Sequence, residues 1–207
     1  MLKFEREALH KGYALVLGLD EAGRGPLAGP VVAGAVALTT FEFQSKVRDS
    51  KTLSAPQRER AFHEIMAKAY VGVGVMSEAV VDSHNILEAT FLAMNNAVLQ
   101  LLARLPVPLR AKVDQQSNIF LLVDGNRFKT DLPYPFRTLV KGDSRSLSVA
   151  CASIIAKVTR DRILDTYDKV FPDYGFRQHK GYPTVAHKKA IKKHGLSIVH
   201  RKTFHFQ

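Results

Sequence analysis

The chain has 207 residues, 30 Lys and Arg against 19 Asp and Glu for a net charge of +11, 46% apolar residues and one cysteine. That length predicts one domain able to bury a core unaided, and the lone Cys151, set in Ala150-Cys151-Ala152, excludes a disulfide scaffold and predicts a packed, reduced thiol. No run near the ~20 apolar residues of a membrane span and no hydrophobic leader are apparent, which predicts a soluble cytoplasmic protein, while a pI near 9.8 calls for a polyanionic partner.

Residues 13–19 form a continuous apolar run, as in a central strand covered on both faces, and it ends in Asp20-Glu21. After a glycine-rich turn, residues 30–38 repeat that character and are expected to pair antiparallel with the first strand. Ser54-x-x-Gln57, with Pro56 in the first turn, is a capping-box start for a helix that buries Ala61, Phe62, Ile65 and Ala69 on one face and reaches about Tyr70. Residues 71–81 return to strand character, and residues 85–105 read as a long core helix stopped by Pro106. A polar loop is expected over 108–118.

Residues 119–123 are another buried strand, ending at Asp124-Gly125-Asn126. Residues 136–140 are the next, ending at Lys141-Gly142-Asp143, with a helix over 146–167 after it. In the tail, Thr184 is placed as a helix N-cap and Gly195 as its C′ residue. Strands and helices interleave without repeats or an obvious linker. The expectation is one α/β domain with a mixed central sheet flanked by helices.

The positive charge is concentrated at the end. From Tyr174 to Gln207 there is no Asp or Glu, while Arg177, Lys180, Lys188, Lys189, Lys192, Lys193, Arg201 and Lys202 are present. Such a basic segment, about 174–207, is a solvated face or a nucleic-acid contact, and the missing interspersed acids favour the second.

Three strands end in acid: Asp20 with Glu21, Asp124 and Asp143. Side chains at the carboxyl ends of strands share a crevice in α/β folds, and carboxylates gathered there repel unless a cation with oxygen ligands, Mg²⁺ or Mn²⁺, relieves them. Two such ions suit an in-line phosphodiester displacement with no covalent nucleophile. Each acid also has a plain structural reading, as a turn former or as a cap for the next helix. Asp161 is the rival to Asp143, but it follows Lys157 by one turn between Arg160 and Arg162, and reads as an ion-paired structural residue.

The loop Asp20-Glu21-Ala22-Gly23-Arg24-Gly25-Pro26-Leu27-Ala28-Gly29-Pro30 fits neither the dinucleotide nor the P-loop glycine pattern. It strongly resembles the signature of ribonuclease HII, the type 2 RNase H family. Asp49-Ser50-Lys51-Thr52-Leu53-Ser54, Val123-Asp124-Gly125-Asn126, Lys141-Gly142-Asp143-Ser144, the stretch Ala152 to Asp161, and His179-Lys180-Gly181-Tyr182-Pro183-Thr184 resemble further blocks in the family's order.

The resemblance implies an RNase H-like fold in which Asp20, Glu21, Asp124 and Asp143 are catalytic and metal-binding, with Mg²⁺ or Mn²⁺ as cofactor. It implies that Gly23, Arg24 and Gly25 sense a ribose 2′-OH through backbone atoms, the group that separates RNA from DNA at one position. Tyr182 is implied to pack on the sugar at an RNA–DNA junction, and Lys51 and Lys180 to lie along the substrate backbone. The implied activity is hydrolysis on the 5′ side of ribonucleotides in RNA/DNA hybrids and in duplex DNA, by a monomer with no membrane partner. Arg24, and the 19 residues before Asp20, favour this family over the sister ribonuclease HIII. The rival readings are a non-catalytic basic nucleic-acid-binding module and another RNase H-like nuclease.

Overall fold

The computed structural model describes residues 1–48, 50–114 and 118–205. Five strands form one mixed sheet: β1 (Leu15–Ala22), β2 (Val31–Leu38), β3 (Ala69–Met76), β4 (Ile119–Asp124) and β5 (Phe136–Leu139), in the order β3-β2-β1-β4-β5. β1 and β2 pair antiparallel, as expected, and so do β2 and β3, whereas β4 and β5 join in parallel.

The helices are α1 (Lys3–His10), α2 (Ala55–Lys68), α3 (Glu78–His84), α4 (Ile86–Ala103), α5 (Val107–Asp114), α6 (Leu147–Val170), α7 (Phe176–His179) and α8 (Val185–His194). α4 packs on one face of the sheet and α6 on the other, with α2 beside α6. Period-2 alternation divides the strands between them: Leu15, Leu17 and Leu19 join the α4 core, while Val36 and Val71 join the α6 core. Each fully buried Leu or Ile in these layers contributes about 1.5–3 kcal/mol.

The approach of α6 to β1 depends on Gly18, where a Cβ would come within 2.1 Å of the Ser148 carbonyl carbon. The sheet and the start of α6 can therefore touch backbone to backbone, which brings the helix's first turns to the strand ends.

Several expectations need correction. The capping box at Ser54 and Gln57 is present, and Ala61 and Ile65 are buried, but α2 stops at Lys68 and Ala69 already belongs to β3. The strand expected over 71–81 ends at Met76, because the Ser77 side chain accepts from the Val80 N–H and starts α3. Most of the loop expected over 108–118 is α5. α1 was not anticipated. It is fastened by the buried Glu5, whose Oε1 accepts from the Ser146 hydroxyl at 2.6 Å and the Ser148 N–H at 2.9 Å at the start of α6.

α4 also corrects the reading of hydropathy. By length and composition Ile86–Ala103 could cross a membrane, yet half of it is buried inside the protein and it covers the sheet as a core helix.

Candidate active site

Asp20 and Asp124 share one end of the sheet because Leu19 pairs with Val123 in the parallel β1–β4 register, so the next residue on each strand is an aspartate. Leu19 and Val123 face α4, which turns both aspartates toward α6. Glu21, one residue on, shares a second hollow with Leu87, Thr90 and Phe91 of α4. Asp143 arrives on a 3-10 turn, Gly142–Ser144, between β5 and α6. The Gly142 N–H donates to Asp124 Oδ1 at 2.6 Å and ties that turn to the strand end.

All four carboxylates line one cleft of about 670 Å³, together with Gly23, Arg24, Gly25 and Tyr182. Asp161 lies elsewhere, in a hollow with Arg58, Glu59 and Asp165, where it pairs with Lys157 at 2.7 Å.

The electrostatics are those of crowded acid. Asp20 is 5% exposed, and burial, then the charges of Glu21 and Asp124, push its pKa well above the ordinary carboxylate range against a hydrogen bond from Ser153. Burial also raises Glu21, while Arg24, 3.3 Å away, opposes the rise. Among the described residues no three such side chains are drawn together tightly enough to enclose a metal by themselves. An oxygen-only set of separated carboxylates, one of them held against its charge, instead fits a hard cation that keeps water or phosphate oxygens in its shell.

The glycine loop is held open by Gly23, whose φ is +100° and where a Cβ would meet Arg160 Nε at 2.2 Å. Gly25 is different: a Cβ there would meet only Tyr182 Cε1, at 3.8 Å. Tyr182 is 42% exposed beside it.

Lys180 is not among the residues lining the carboxylate cleft. Its ammonium pairs with Asp165 on α6. The side chain of Lys51, expected near the substrate backbone, lies outside the described residues, as does Asp49.

The basic tail divides. Lys188, Lys189, Lys192 and Lys193 sit on α8, capped at Thr184 and closed at Gly195 as expected, whereas Arg201, His187 and His200 are buried. Three polar residues of the cleft were not foreseen as part of it: Ser50, Ser153 and Lys157. Ser50 and Ser153 join hydroxyls at 3.0 Å behind Asp20. The only sequence signal for them was their place in the blocks around Lys51 and Lys157.

The mixed sheet, helices on both faces and carboxylates at adjacent strand ends define an RNase H-like α/β nuclease. Residues 17–206 match the family described as Ribonuclease HII. Ribonuclease HII of Magnetococcus marinus is 49% identical over 187 residues, covering 90% of this chain and 83% of that protein. Among solved structures, ribonuclease H2 from Pyrococcus horikoshii OT3 aligns with a TM-score of 0.68 at 25% identity, covering 92% of this chain and 93% of that one. The Bst ribonuclease HIII in complex with Mn²⁺ shares the fold, with a TM-score of 0.69 at 19% identity over 95% of this chain and 69% of that one. The chain belongs to the ribonuclease HII family. It is a ribonuclease of the RNase H class.

Proposed function

We propose that this enzyme hydrolyses the phosphodiester on the 5′ side of ribonucleotides, both in RNA/DNA hybrids and singly embedded in duplex DNA, leaving 3′-OH and 5′-phosphate ends. The observation that carries this reading is the meeting, in one cleft, of Asp20, Glu21, Asp124 and Asp143 with the Gly23–Gly25 backbone and the Tyr182 ring.

Asp20, Glu21, Asp124 and Asp143 would hold two divalent ions, Mg²⁺ or Mn²⁺, which when bound lower the pKa of water and stabilise the leaving oxygen. The remaining work falls to the chain itself. Ser153 and the Glu21 N–H, at 2.7 Å, orient Asp20, and the Gly142 N–H orients Asp124, so the carboxylates are set before substrate arrives. Arg24 steadies Glu21 and lies where a phosphate would pass.

The backbone of Gly23 and Gly25 can approach a 2′-OH without a side chain between, which selects ribose without selecting a base. Tyr182, half-exposed beside Gly25, supplies an apolar face for the adjoining deoxyribose. The lysines of α8 add phosphate contacts that set affinity and its salt dependence. The whole chain acts as one catalytic domain and as a monomer. Its buried thiol, Cys151, suits the reducing cytoplasm.

The test is a DNA duplex carrying one ribonucleotide, incubated with Mg²⁺ or Mn²⁺. A metal-dependent nick on the 5′ side of the ribose, abolished in Asp124→Asn, is expected. Duplex binding without metal-dependent cleavage would favour a non-catalytic module, and cutting of all-DNA duplex would favour another RNase H-like nuclease.

A further inference from the structure

Two arginines with almost no contact with solvent lie beneath the recognition surface. Arg160 on α6 and Arg201 near the end of the chain are each 1% exposed. Among the described residues neither has a carboxylate within ion-pairing distance. Each directs its N–H groups at backbone carbonyls instead.

Arg160 donates from Nε to Pro30 O at 3.0 Å, from Nη2 to Ala28 O at 3.0 Å and from Nη1 to Lys180 O at 2.9 Å. Arg201 donates to Gly29 O at 3.0 and 2.8 Å, to Arg24 O at 3.0 Å and to Gly23 O. Burying a guanidinium without a counter-ion is costly, so the arrangement needs a gain that only this side chain supplies. A planar fork of five donors fixes several carbonyls relative to one another, and an ammonium cannot.

Arg160 spans the two halves of the recognition surface. On one side it holds the strand-ward end of the glycine loop, and its Nε lies directly under Gly23. On the other it holds the carbonyl two residues before Tyr182, with its guanidinium carbon 6.0 Å from the tyrosine ring centroid. The Leu27 N–H adds a direct bond to Gly181 O at 2.8 Å between the same two segments. Glu78 is the nearby buried carboxyl group: burial raises its pKa, and its backbone hydrogen bond, Arg201 and Arg160 oppose that.

We propose that Arg160, backed by Arg201, is a positioning residue that fixes the spacing between the Gly23–Gly25 backbone and Tyr182, so that a ribose and the deoxyribose after it are read as a pair. This rests on the roles given above to the loop and to Tyr182.

The experiment compares Arg160→Lys, Arg201→Lys and, as a control on the exposed face of α6, Arg162→Lys. Substrates are a duplex with one ribonucleotide, a uniform RNA/DNA hybrid and an all-DNA duplex, with kcat and KM measured on each. Folded Arg160→Lys is expected to lose about tenfold in its preference for the single-ribonucleotide junction through KM, with kcat within about threefold, since small misplacements of positioning groups cost this much or more. Added to Tyr182→Ala, it should cost no further preference, because the two act as one unit. Arg162→Lys should match the parent enzyme.

Retention of preference and KM by folded Arg160→Lys overturns the proposal, as does an equal loss in the Tyr182→Ala background. Should Arg160→Lys not fold, the decision passes to Arg201→Lys, which must lose about tenfold in ribose-over-deoxyribose discrimination. Unchanged discrimination there, or failure of both variants to fold, assigns the arginines to stability alone and overturns the proposal. A parent enzyme that nicks no ribonucleotide-containing duplex overturns the proposed function instead, before any variant is made.

Discussion

Nε2 of His187 and Nε2 of His200 stand 3.0 Å apart in the interior, so one ring must donate to the other. Their other partners assign the direction. His187 Nδ1–H donates to the Tyr182 carbonyl at 2.9 Å, which leaves its Nε2 to accept from His200. His200 Nδ1 in turn accepts from the Ser197 N–H at 3.0 Å. Both rings are therefore neutral in the folded enzyme, and a proton added to either breaks the chain.

Stability should consequently fall in mild acid. Burial, then the neighbouring His187, carries His200 down to about 4, and burial lowers His179 and His187 as well. A depressed imidazole pKa means the unfolded chain binds more protons, so the stability these rings supply is present above about 6.5 and is lost as the pH falls toward 4. His200 alone accounts for about 3 kcal/mol across that window. Urea unfolding at pH 7 and pH 4.5 should show a clearly shallower dependence for His200→Asn than for the parent. Equal slopes would refute the neutral-pair reading.

Asp20→Asn should inactivate the enzyme and stabilise it. The stability that protonated Asp20 supplies is present at acid pH and lost as the pH rises through its raised folded value, and the amide keeps the uncharged state throughout. A higher melting temperature than the parent at pH 7 is expected, with the difference shrinking toward pH 4. Millimolar Mg²⁺ should raise the melting temperature of the parent and leave that of the variant nearly unchanged. A variant that melts lower at pH 7 contradicts this.

Gly18→Ala and Gly25→Ala should separate folding from recognition. A methyl at Gly18 runs into the backbone of α6 and should cost about 3 kcal/mol, visible as a large loss of melting temperature. A methyl at Gly25 makes only an ordinary contact with the Tyr182 ring, so melting should shift by no more than about 2 °C while cleavage beside a ribonucleotide falls at least about tenfold. A fully active Gly25→Ala would remove the loop from sugar recognition.

Glu5→Ala should destabilise by about 2–3 kcal/mol in urea unfolding, because it strands the Ser148 N–H and leaves one of the paired Ser146 and Ser148 hydroxyls without an acceptor at the buried start of α6. Glu5→Gln, which keeps an acceptor oxygen, should cost less. Equal stability of all three proteins would show that α1 is not fastened there.

The strands were legible because both-face burial leaves continuous apolar runs, as in residues 15–19 and 119–123, and because the acids stand where those runs stop. The capping box of α2 and the ends of α8 were legible for a local reason, since a cap is decided within four residues. The boundary at Met76 was missed because Val80 and Val81 continue the strand composition into α3, and the Ser77 cap was the weaker signal.

Arg201 shows a deeper limit. Among Lys202, Thr203 and four α8 lysines it read as one more surface cation, and only its long-range partners at Gly23, Arg24 and Gly29 make it interior. The contact between Ser50 and Ser153 was unreadable for the same reason, since they are 103 residues apart in sequence and meet only in space.

The bonds from Arg201 to Gly29 and Gly23 close loops of 172 and 178 residues, so a segment made early in synthesis is completed by a side chain made almost last. The sheet that carries Asp20 and Asp124 is whole once β5 has formed, some sixty residues sooner. Synthesis thus delivers the strands that carry Asp20 and Asp124 before the last brace under the glycine loop. Premature termination before residue 201 removes the donors to Gly23, Arg24 and Gly29 and leaves Arg160 as the remaining arginine brace under the loop.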